Sequence, residues 1–185
     1  MIISNLTKSF DNKLVFDNFS IEIPQNKLTI IEGESGCGKT TFLRIIAGLD
    51  LGYTGEIIKE SDKISYVFQE PRLFDDITVK QNIEIVNKGT NLSLNDILTV
   101  VELENEENTY PKELSGGMKM RLSLARALYY NGDIFLMDEP FSALDNDMKN
   151  RIIPRVLDII KGKTIIIVTH NLLELEEFAD NIIKF

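Results

Sequence analysis

"LTIIEGESGCGKTTFLRIIAG", Leu28 to Gly48, is the stretch that decides the fold. It opens with an apolar run of strand length, and such runs suit strands buried on both faces. It then turns through Gly33, Gly36 and Gly38 and continues as a helical stretch from Lys39 to about Gly48. Gly33–Thr40 fits G-x-x-x-x-G-K-[ST], with a strand before it and a helix after it, the context a phosphate loop requires. Glycines let the backbone curl until its N–H groups point inward at phosphates. Lys39 then neutralises the β- and γ-phosphates, and the Thr40 hydroxyl is placed to ligate Mg²⁺. Cys37, the only cysteine, reads as a small loop residue and not as a redox centre. The alternative, a glycine-rich turn without a ligand, leaves the lysine and the flanking pattern unexplained.

Working outward, "MIISNL" and "KLVFDNFSIEI" read as antiparallel strands at one edge, followed by a turn at Pro24-Gln25-Asn26. "ISYVF" (Ile64–Phe68) is a further buried strand. Residues 70–114 change character: polar and acidic, with helical runs in "TVKQNIEIV" and "SLNDILTVVELEN". We expect an inserted helical subdomain there, between core segments 1–69 and 115–185. The core resumes with a helix over Gly117–Tyr130, a strand over Asp133–Asp138, and a helix from about Asn146 to Ile160. A strand over Thr164–Val168, a short acidic helix from Asn171 and a last strand, "NIIKF", complete it. Pro154 falls inside its predicted helix, which should therefore kink or start late. Strands alternating with helices give an α/β fold with a mainly parallel sheet.

Composition sets limits. The chain has 185 residues, 43% hydrophobic, enough for one domain with a core. A net charge of −9 speaks against binding nucleic acid backbones. One cysteine permits no internal disulfide. No apolar run reaches the roughly 20 residues that span a bilayer, and the start lacks the pattern of a signal peptide. The expected location is the cytoplasm, with any membrane role peripheral.

Other residues carry chemistry. "DIFLMDEP" delivers Asp138 and Glu139 at the C-terminal end of a strand, the edge where a phosphate loop also lies. Asp138 suits the water shell of Mg²⁺, and Glu139 suits orienting or deprotonating an attacking water. Gln69 ends "ISYVF" and is either a turn residue or a group facing the γ-phosphate and Mg²⁺. His170, the single histidine, ends another strand at the same edge. Phe10 suits base stacking and core packing equally. In "ELSGGMKMRLSLARAL" (Glu113–Leu128), Ser115 is a plausible helix cap. Yet Gly116-Gly117 is costly for a helix start that needs only a cap, and the stretch offers N–H groups to an anion without a lysine.

Together these residues resemble one family, the ATP-binding subunits of ABC transporters, over essentially the whole chain. Gly33–Thr41 resembles its Walker A loop, including Ser35, Gly36, Cys37, Gly38, Lys39, Thr40 and Thr41. Gln69 resembles the Q-loop glutamine, Leu114–Met118 the signature, and Ile134–Asp138 with Glu139 the Walker B strand and catalytic glutamate. "SALD" (Ser142–Asp145) resembles the D-loop, His170 the switch histidine, and Phe10 the base-stacking aromatic. The resemblance implies ATP and Mg²⁺ as ligands, with Thr40, Gln69 and Asp138 at the metal, Asp138 through water. It implies catalytic roles for Glu139, Gln69 and His170. It also implies pairing of two subunits, as a homodimer or heterodimer, each ATP lying between one subunit's Walker A loop and Ser115, Gly116, Gly117 and Met118 of the other. Asp145 would run along the same seam. Integral membrane permease subunits would dock near Gln69–Phe74 on the cytoplasmic face of the cell membrane, with a solute-binding protein in the full system. "FQEPRLF", "LSGGMKMRLSLARAL" and "DEPFSALD" are most similar to the importer group for nitrate, sulfonate and taurine. Met118 departs from the usual glutamine, though methionine also occurs there in that group. A P-loop kinase or GTPase would leave "LSGGM", "SALD" and His170 unexplained. A soluble ABC-type ATPase and an exporter ATPase are the remaining alternatives.

Overall fold

A computed structural model describes residues 1–11 and 13–185. Leu28–Glu32 forms β3, and its apolar residues are buried on both faces as the unalternating run requires. It lies in a five-stranded sheet with β5 (Ile64–Val67), β6 (Ile134–Asp138), β7 (Thr164–Thr169) and β8 (Asn181–Lys184), in the order β5-β6-β7-β3-β8. Every pairing in it is parallel. All five strands therefore present their C-terminal ends at one edge, where open α/β sheets bind ligands.

Alternate residues of the central strands feed two apolar clusters. Phe135, Met137, Ile165 and Ile167 face one way, toward α4 (Gly116–Tyr130), α5 (Asn146–Ile159), α2 (Val79–Glu84) and α3 (Leu94–Val100). Leu136, Ile166 and Val168 face the other, toward α1 (Lys39–Ile46) and the antiparallel sheet β2-β1-β4. That second sheet comprises β1 (Ile2–Phe10), β2 (Lys13–Glu22) and β4 (Thr54–Ile58). Rings from separate elements join it to the phosphate-loop helix: Phe42 of α1 meets Phe16 and Phe19 of β2 and Phe185, with centroids 5.2–6.0 Å apart. Tilted and edge-on pairs like these add to the burial term. Phe42→Ala is expected to cost about 3–5 kcal/mol of stability, read as a drop in the urea midpoint.

In the 70–114 segment both α helices carry capping boxes, Thr78 with Gln81 and Ser93 with Asp96, which define their starts. The buried Asn82 amide bonds Phe74 O, Ile77 O and Thr78 O and accepts from Phe74 N, pinning the loop that follows Gln69.

Two details differ from expectation. β4 was not foreseen. Residues 172–178 make two 3-10 turns, Leu172–Glu174 and Glu176–Phe178, in place of an acidic α-helix. Glu174 is drawn to Lys149 of α5 (2.7 Å), a tertiary tie that local propensity does not contain. α5 starts at Asn146, as expected, and not late: Asp145 caps it by accepting from Met148 N at 2.8 Å. Pro154 sits on its exposed face, where the carbonyl left unbonded one turn earlier, at Asn150, can turn to water.

Candidate active site

The loop between β3 and α1 is shaped by its glycines. Gly36 and Gly38 have φ of 81° and 108°, a region that other L-residues rarely adopt. At Gly38 there is also no room: a Cβ would lie 2.7 Å from Val15 Cγ1. Val15 is brought there by a β-bulge, since Lys8 pairs with Phe16 while Ser9 pairs with Leu14, leaving Val15 as the extra residue. α1 has no side-chain cap at its N-terminus, so its free N–H groups and positive dipole end suit an anion. Lys39 is buried, and its Nζ donates to Gly33 O at 2.6 Å and Glu34 O at 2.8 Å, which holds the ammonium at the loop.

A cleft of about 570 Å³ opens along this edge. Ser35, Gly36, Gly38, Lys39, Thr40 and Thr41 line it from the loop, Gln69, Asp138, Glu139 and His170 from the other strand ends, and Phe10 from β1. Residues far apart in sequence thus meet in one cleft. Gly33 and Cys37 do not line it; a Cβ on Gly33 would press on Cys37 Sγ at 2.9 Å and Phe185 O at 3.0 Å, so this glycine serves close packing behind the loop. Lys13 and Val15 also line the cleft and were not anticipated. Their place depends on the bulge, which leaves no local sequence signal.

Two carboxylates differ in environment. Asp138 is buried, and burial pushes its carboxyl above the ordinary value. The Thr40 hydroxyl nearby pulls it back, Glu139 pushes it up again, and Lys39 draws it down. Glu139 has φ of 50°, a left-handed turn directly after β6, with its N–H bonded to Val168 O (2.9 Å) and its carbonyl accepting from Ser142 Oγ (2.9 Å). The turn aims its carboxylate at His170, whose Nδ1 lies 2.8 Å from Oε1. A carboxylate only accepts, so Nδ1 carries the hydrogen. Gln69 follows a locked segment: Tyr66 stacks on Phe68 at 4.2 Å, and the Arg72 guanidinium lies 4.6 Å from the Phe68 ring.

Ser115–Met118 lies outside the cleft. Ser115 caps α4, accepting from Met118 N at 3.3 Å. A Cβ on Gly117 would meet Ala143 O at 3.0 Å, so this glycine lets "SALD" approach α4. A Cβ on Gly116 would meet nothing within 4 Å.

A phosphate loop facing a carboxylate pair at the C-terminal edge of a parallel sheet is the arrangement of a P-loop nucleoside triphosphatase. The sequence profile of the ABC transporter family matches residues 16–142. The aliphatic sulfonates import ATP-binding protein SsuB of Bacillus anthracis is 37% identical over 182 residues, covering 91% of this chain and 72% of that protein. The sulfate/thiosulfate import ATP-binding protein CysA of Mesostigma viride is 37% identical over 204 residues, covering 100% of this chain and 59% of that protein. The dimeric structure of MJ0796, a bacterial ABC transporter cassette, superposes with a TM-score of 0.87 at 29% identity, covering 100% of this chain and 93% of that one. A post-hydrolysis state of the same cassette, bound to ADP and Pi, gives 0.86. The chain belongs to the ABC transporter family and is one of its ATP-hydrolysing subunits.

Proposed function

We propose that this chain powers a small-solute importer by closing as a head-to-tail dimer around ATP. One observation carries the dimer: Gly116 opens α4 directly after its Ser115 cap, yet nothing in its own chain needs the missing side chain. A group from outside is the reason. With Ser115 exposed beside it and the phosphate loop elsewhere, that group is the γ-phosphate held by a partner's Lys39. Met118 and the Asp145-capped start of α5 belong to the same seam. The named relatives import sulfonate and sulfate or thiosulfate, and the cassette with the same fold is a dimer.

Within the cleft each residue takes a role. Ser35, Gly36, Gly38, Lys39, Thr40 and Thr41 hold the phosphates. Thr40 and Asp138, neighbours in the cleft, fit Mg²⁺, Asp138 through water and Gln69 alongside; the ion would neutralise charge on the β- and γ-oxygens. Glu139 accepts the proton of the attacking water. His170 donates from Nδ1 to the Glu139 carboxylate, and only as the imidazolium would it also donate from Nε2 to the γ-phosphate. Phe10, 47% exposed at the cleft, stacks on the base. Residues 70–114 act as a helical subdomain, and the pinned Gln69–Phe74 loop, with Phe74 exposed, receives the membrane subunit on the cytoplasmic side.

Lys39→Ala should weaken ATP binding roughly a hundredfold, the loss of charge-assisted bonds to two phosphates, measured by titration with a fluorescent ATP analogue. The tagged chain, captured from detergent-solubilised membranes of its host, should bring a multi-span permease with it. Recovery only from the soluble fraction would point to a soluble ATPase instead.

A further inference from the structure

Lys8 is charged, yet its side chain is only 6% exposed. Its Nζ donates to Asp50 Oδ1 at 2.7 Å and to Gly52 O at 2.9 Å, and lies 4.3 Å from the centroid of the Phe10 ring. Asp50 continues the end of α1: Leu49 N and Asp50 N both bond Arg44 O. One ammonium therefore joins the ring at the tip of β1 to the far end of the helix whose start is the phosphate loop. A buried ion pair is weak evidence for stability, because apolar residues of similar size often serve as well. The placement against a half-exposed ring in the nucleotide cleft is what asks for a function.

On the reading of Phe10 as the base-stacking ring, we infer that Lys8 is a positioning residue for the nucleotide base. Its ammonium occupies one face of the Phe10 ring, leaves the other for the base, and fixes the distance from ring to phosphate loop through Asp50. Two of its three N–H bonds are spent on Asp50 and Gly52, so the cation cannot drift from the ring. A cation on one face also draws π-density inward, which leaves the opposite face better matched to an electron-rich purine.

The test compares ATP with inorganic tripolyphosphate, which has no base. Lys8→Met/Asp50→Asn removes both charges without stranding Asp50. Lys8→Gln keeps a donor for Gly52 and removes only the cation. Both should weaken ATP binding about fivefold to tenfold, the scale of one aromatic stacking contact, and leave tripolyphosphate binding unchanged. In a Phe10→Ala background the same changes should have no further effect on ATP. Equal losses for both ligands, or a loss that persists without Phe10, would overturn the inference. If Phe10→Ala alone leaves ATP affinity intact, the base-stacking reading itself fails, a separate outcome.

Discussion

Glu139→Gln should bind Mg-ATP, hydrolyse it on the order of a thousandfold more slowly, and accumulate as a dimer. The amide is nearly isosteric and can still accept from His170 Nδ1, so the geometry around the 2.8 Å contact survives. What it loses is basicity, and general-base assistance contributes about 10²–10⁴ in rate. Asp138 and Lys39 are untouched, so affinity for the nucleotide remains. If ATP bridges two chains and hydrolysis separates them, stopping the chemistry stops the separation. Light scattering at saturating Mg-ATP should then give about twice the 21.0 kDa of one chain. A monomer under those conditions would remove the sandwich, and full-rate hydrolysis would remove Glu139 from the reaction.

The lining of the cleft was largely legible because its residues are carried by short patterns with local meaning. A strand, a glycine turn and a lysine at fixed spacing make a phosphate loop wherever they occur, and a buried strand ending in Asp138-Glu139 must deliver them to the same edge. The misses share a cause. β4 spans five residues whose burial pattern is mostly exposed, and only pairing with β1 makes it a strand. Lys13 and Val15 reach the cleft through a bulge, a property of two strands and not of either one. The acidic run after Asn171 has helical composition, but Lys149 captures Glu174 from another element. Gly116 is the opposite case: its oddity was visible in the sequence, and the space around it sharpens the reason.

Ser115→Arg is the variant that separates the two halves of the proposed site. Ser115 is exposed and takes no part in the cleft, so ATP binding to the same chain should stay within about twofold of wild type. The lost cap on α4 costs about 1 kcal/mol; Ser115→Ala carries the same loss and serves as the folding control. The arginine adds bulk and charge where two surfaces must close on a phosphate, and it removes the hydroxyl. Turnover should fall on the order of a hundredfold or more, the scale for deleting one preorganised donor, and ATP should no longer produce a dimer. Mixing supplies the decisive arm. Ser115→Arg combined with Lys39→Ala in a second chain allows one complete composite site, built from the intact Lys39 of the first and the intact Ser115 of the second. Partial recovery of hydrolysis in that mixture, absent from either variant alone, is expected if the signature acts in trans. Wild-type turnover by Ser115→Arg alone would mean that Ser115 serves only its own helix.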